Sequence, residues 1–158
     1  MAADTWLRNV DRYCDARPPP RINLRNVYLA DHGYIEGHHE LIAMDFSECI
    51  RSPGAELSAK AAHIDCTKDE KIYGLFPEFR GELRLGEAQR VAHAIGEIER
   101  SQVAAIVAQV PAAWWCGRNL QQHVVDAVVE RAQFVASTFV PRLHGMGMFQ
   151  PTLAAVVQ

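Results

Sequence analysis

Asn26-Val27-Tyr28-Leu29-Ala30 and Glu40-Leu41-Ile42-Ala43-Met44-Asp45-Phe46 decide how this chain is read. Both runs are short, apolar, and rich in branched and aromatic residues, the pattern of strands. Asp31-His32-Gly33 turns the chain between them, so they are expected to pair antiparallel. Upstream, Asp4 stands where a helix cap would, and Trp6, Leu7, Val10 and Tyr13 recur at helical spacing. Pro18, Pro19 and Pro20 then impose a stiff loop.

Downstream, Ala55 to Ala62 reads as a short helix, and Ile72-Tyr73-Gly74-Leu75-Phe76-Pro77 as an irregular buried stretch. From Gly86 the pattern becomes helical. Ala88, Val91, Ala92 and Ile95 share one face. Ser101 is predicted to cap a second helix, with Val103, Ile106 and Val107 inward and Pro111 as its stop. Trp114 and Trp115 fall in a connector. A long helix follows over Leu120 to Phe139, with Val124, Val128, Ala132 and Val135 along one side and Pro141 ending it. The order predicts one helix-rich α+β domain over 1–158, with a short β-hairpin near the start, a helical bundle over 85–142 and a loosely ordered tail over 145–158.

Bulk composition agrees with a single globular unit. The chain has 158 residues, 49% of them apolar and 22% charged. The net charge of -3 gives no electrostatic reason for nucleic-acid binding, although Arg8, Arg12, Arg17, Arg21 and Arg25 make the first segment locally basic. Cys14, Cys49, Cys66 and Cys116 make no C-x-x-C pair, so neither a zinc ribbon nor a redox motif is visible. No apolar run is long enough to cross a membrane, and no signal peptide is evident; a cytoplasmic location with reduced thiols is expected.

Four polar residues in the first segment carry potential chemistry: Asn9, Asp11, Asn26 and Asp45. A hairpin closed at 31–39 would bring Asn26 and Asp45 to its open end, and the helix carrying Asp11 could approach the same end. Phosphoryl transfer asks for such a set. One carboxylate orients the nucleophile, while a second carboxylate and an amide oxygen hold magnesium on the phosphates.

Asp4-Thr5-Trp6-Leu7-Arg8-Asn9-Val10-Asp11-Arg12 resembles the catalytic-loop signature of HipA-like kinases, with its N-x-D-R run. Asn26-Val27-Tyr28-Leu29, the strand Ile42-Ala43-Met44-Asp45-Phe46-Ser47, and the later Ile72–Phe79 and Val110–Trp114 segments are similar to parts that follow in that family. The resemblance implies a kinase-like C-terminal lobe. Asp11 would be the catalytic base, Asn9 and Arg12 would orient the loop, and Asn26 and Asp45 would hold Mg2+ against ATP. Its expected activity is transfer from ATP to protein Ser or Thr.

Three features depart from the pattern. The interval from Asp11 to Asn26 exceeds the kinase spacing, which makes Asn23 a rival ligand. Ser47 stands where a glycine follows Asp-Phe. No Gly-rich loop occurs, and Lys60, Lys68 and Lys71 all come after Asp45. The nucleotide-binding lobe is therefore expected from a partner chain, or the chain forms a homo-oligomer. The alternative is an inactive binding module that pairs with another chain. A third reading is a hydrolase using Asp11, Asp45 and a histidine around magnesium.

Overall fold

The computed structural model describes residues 1–9, 13–14, 21–22, 27–31, 39–43, 67–115 and 119–151; for the strands and Trp114 the backbone alone is described. Its core is helical. Helix α1 spans Ala2–Leu7, α2 Leu85–Gly96, α3 Arg100–Val107 and α4 Leu120–Gly145. Short 3-10 turns occupy Pro77–Phe79 and Ala112–Trp114. The backbone also forms two antiparallel ladders. Tyr13–Cys14 (β1) pairs with Arg21–Ile22 (β2), and Val27–Asp31 (β3) pairs with His39–Ala43 (β4), with Val27 opposite Ala43.

The expectation of an α+β, kinase-like lobe is overturned. Among the described residues the core is built by the helices with Ile72, Leu75 and Met148, and no kinase-like sheet lobe is seen. The physical reason lies in the packing faces. Ala88, Ala92 and Ile95 of α2 lie against Ala132, Val135, Phe139 and Leu143 of α4, and Ile72, Leu75 and Met148 complete the cluster. Small residues on α2 permit a close approach: a Cβ at Gly96 would come within 3.1 Å of the Ala136 Cβ. The helices thus satisfy one another and need no sheet as a platform.

Several boundaries differ from the sequence-based expectation. α1 ends at Leu7 because Arg8 turns left-handed (φ 53°) and the Asn9 amide reaches back to the Asp4 carbonyl at 2.8 Å. Asp4 is not the cap; it sits inside the first turn, fully buried. The N-cap of α3 is Glu99, whose amide donates to Gln102 Oε1 at 2.9 Å, so Ser101 falls inside the helix. On α3, Val103 is buried, whereas Ile106 is 67% exposed.

Pro141 does not end α4. The helix runs on to Gly145, with Pro141 on its exposed side. Phe139 and Leu143 flank the proline and are 1% and 0% exposed, and their burial outweighs the one lost backbone bond. The actual stop is Gly147, at φ 66°. Its amide donates to the His144 carbonyl at 3.0 Å, and the Met148 amide to the Leu143 carbonyl at 3.1 Å, the two bonds of a Schellman motif. Residues 148–150 beyond it dock against Leu83 and the core. Leu83 and Phe149 form a parallel bridge, and Met148 is buried. Residues 152–158 and Ala55–Ala62 lie outside the described residues.

Candidate functional site: a cationic groove on a buried arginine hub

Arg131 lies on the apolar side of α4, between Val124 and Val135, and is only 3% exposed. A buried guanidinium must use its donors. Nε and Nη2 donate to the Thr5 carbonyl at 3.3 and 2.9 Å. Nη1 donates to the Thr67 carbonyl at 3.1 Å and also to the Asp69 carbonyl. One side chain therefore ties α1 and the 67–69 segment to α4. Burial pulls its pKa down to about 10, which leaves it cationic at neutral pH.

The carboxylate of Asp69 forms the outer part of this hub. It accepts from Arg8 Nε at 3.1 Å, from the Lys71 amide at 2.9 Å and from the Tyr73 hydroxyl. Burial acts to raise its pKa. The bonds from Tyr73, Lys71 and Arg8, with the Arg8 charge, outweigh that and hold it below the usual carboxylate value. Burial, then the bond to Asp69, pushes the Tyr73 phenol up to about 12. Thr5 closes the arrangement: its hydroxyl accepts from the Tyr73 amide at 3.0 Å and donates to the Tyr73 carbonyl at 3.3 Å.

Fixed in this way, residues 70–80 form one wall of a groove whose other wall is the end of α4 and the turn after it. The cavity measures about 650 Å³. Its floor includes Ile72, Leu75 and Met148, and Met146 stands 46% exposed at its edge. Lys71, Arg80 and Arg142 line it with cations, against the single carboxylate of Glu70. Arg142 is held firmly: Nε donates to the Thr138 carbonyl at 3.1 Å, Nη2 to Thr138 Oγ1 at 2.7 Å and Nη1 to the Glu70 carbonyl. Its guanidinium carbon lies 5.4 Å from the centroid of the Phe134 ring. Burial lowers its pKa.

Of the residues expected to carry chemistry, Asn9 alone is described. It is fully buried and donates from Nδ2 to Asp4 Oδ1 at 3.1 Å, where it helps to close α1. Asp11, Arg12, Asn23, Asn26 and Asp45 lie outside the described residues. Among the described residues no group of three or more His, Cys, Asp or Glu side chains is placed to hold a metal ion. No described helix is long and apolar enough to cross a membrane.

The hub and the groove were missed by reading the sequence for catalytic patterns. A signal existed: Arg131 stands two helical turns after Val124 on the very stripe that reads as core, and a charge there must be paired inside the fold. Nothing local marks Lys71, Arg80 and Arg142 as neighbours. Compared with family models, with curated proteins and with solved structures, the chain gives no match.

Proposed function

We propose that this chain is a binding module, with the groove between residues 70–80 and the end of α4 as its recognition site. One observation carries the reading: three cations line a groove with an apolar floor, on a chain whose net charge is negative. A groove of about 650 Å³ lies within the size range of small-molecule sites. The wall that carries two of the cations is braced by the Arg131 and Asp69 hub, so it is pre-organised for binding.

The test uses 1-anilinonaphthalene-8-sulfonate, an aromatic body with one anionic group, in a nitrogen-15 shift titration. The expected result is saturable binding, with the largest shifts in residues 70–80 and 142–148. Shifts confined to other parts of the chain would remove the groove as the site. A parallel incubation with magnesium and radiolabelled ATP discriminates this reading from the phosphotransferase one, which rests on Asp11, Asn26 and Asp45. No incorporation into the chain or an added Ser/Thr peptide is expected. Incorporation that disappears in Asp11→Ala or Asp45→Ala would overturn the binding-module reading.

A further inference from the structure

Resting on that reading, we infer that the groove takes a small amphipathic anion: an alkyl or similar apolar body bearing one carboxylate or phosphate. The anionic group follows from the lining. Lys71, Arg80 and Arg142 outnumber Glu70, on a chain whose net charge is -3. Arg142 is especially suited. Its bonds to Thr138 and to the Glu70 carbonyl engage Nε and one donor on each terminal nitrogen, which fixes the guanidinium plane. A guanidinium has five N–H donors, so a second N–H remains on each terminal nitrogen for oxygen acceptors.

The apolar body follows from the floor. Ile72, Leu75 and Met148 belong to the main core cluster, and the groove opens directly onto them. Met146 at the edge and Met148 below it supply flexible, polarizable surface that adapts to an unbranched chain. A purely ionic ligand would leave this floor unused, and a neutral one would leave the remaining Arg142 N–H donors unused. The more open hollow between α2 and α4, lined by His93, Gly96, Gln133 and Ser137 among others, has no such pairing of cations with an apolar floor.

The experiment is calorimetric titration of the full chain with decanoate, decyl phosphate, decanol and inorganic phosphate, each below its aggregation limit. Decanoate and decyl phosphate are expected to bind at least about tenfold more tightly than decanol or inorganic phosphate, the factor that about 1.4 kcal/mol of charge pairing supplies. The tighter of the two anions identifies the headgroup. Arg80→Glu and Met146→Glu alter exposed groove residues and are expected to weaken decanoate binding about tenfold each. Arg90→Glu, on the exposed side of α2, should leave it unchanged. Decanol binding as tightly as decanoate, or an affinity unmoved by both groove variants, would sink the inference. Should 1-anilinonaphthalene-8-sulfonate still map to the groove while decanoate and decyl phosphate fail, the ligand class is wrong and the binding-module reading stands.

Discussion

Arg131 shows how one residue can outweigh its own unfavourable burial. Replacing a buried ion by an apolar group is often neutral when its partners are replaced as well. Here the partners are backbone carbonyls of Thr5, Thr67 and Asp69, which remain whatever side chain stands at 131. Arg131→Met should therefore cost about 3 kcal/mol, the scale set by several buried acceptors left unmet. Trp6→Phe, which deletes the 2.9 Å bond from Nε1 to the Val128 carbonyl and part of the ring's packing on the core, should cost about 1–2 kcal/mol. Urea unfolding midpoints of the two variants test the ranking. Equal effects would mean that the hub contributes no more than a single bond with its ring packing.

The same network sets a pH response. Asp69 has a folded pKa below its ordinary 3.8, so the unfolded chain takes up its proton first as the medium acidifies. Its contribution is present above that pH and is lost as pH falls below it. Tyr73 runs the other way. Its folded pKa of about 12 exceeds the ordinary 10.0, so its contribution is intact below pH 10 and fades as pH rises towards 12. Arg131, lowered to about 10 by burial, opposes this alkaline loss. Comparison with variants isolates each group: Asp69→Asn should flatten the acid limb of stability against pH, and Tyr73→Phe the alkaline limb. Unchanged limbs in the two variants would remove these groups as the cause.

At the scale of elements, two glycines with nearly equal φ make different demands. Gly147 (φ +66°) ends α4, and a Cβ there would meet nothing within 4 Å. Gly147→Ala should cost only the left-handed strain, about 1 kcal/mol. Gly74 (φ +65°) turns the segment beneath α1, and a Cβ there would stand 2.6 Å from Asp4 Oδ2. Asp4 is fully buried and holds Asn9, so it cannot yield freely. Gly74→Ala should thus be the more damaging, at about 3 kcal/mol once strain and overpacking combine. Thermal unfolding of both variants checks the order, and a larger loss from Gly147→Ala would contradict it. Helix boundaries follow the same logic. Pro141 is the stronger breaker in sequence, yet burial of Phe139 and Leu143 carries the helix past it to the glycine that can close it.

At the scale of the molecule, one cluster joins the two ends of the described chain. Trp6 of α1 packs on the same core as Phe139 and Leu143 of α4 and Met148 beyond it. Phe139 is 1% exposed at the middle of that cluster. Phe139→Ala should cost about 3–5 kcal/mol and depress α1, α2 and α4 together in hydrogen exchange. Loss of protection in α4 alone would show that the elements do not form one cooperative unit.

Helices α2, α3 and α4 were legible in the sequence, because apolar spacing at 3.6 residues is a local property and their stripes are long. Ala88, Ala92, Ile95, Val124, Ala132 and Val135 all read correctly as buried. Ile106 did not, because which side of a two-turn helix faces inward depends on its neighbour. The fold class was not legible: strand-like runs are visible locally, but whether a sheet carries the core is decided by what the helices bury against. The candidate site was the least legible part. The N-x-D-R run drew attention to the first segment, whereas the groove joins Lys71 and Arg80 to Arg142 across more than sixty positions. Sequence by itself determined where chain segments can be helical and which residues seek burial, since both follow from local stereochemistry and hydration. Tertiary structure alone decided that Arg131 is buried and paired, and that three distant cations share one apolar groove, because both depend on which surfaces the packed helices bring together.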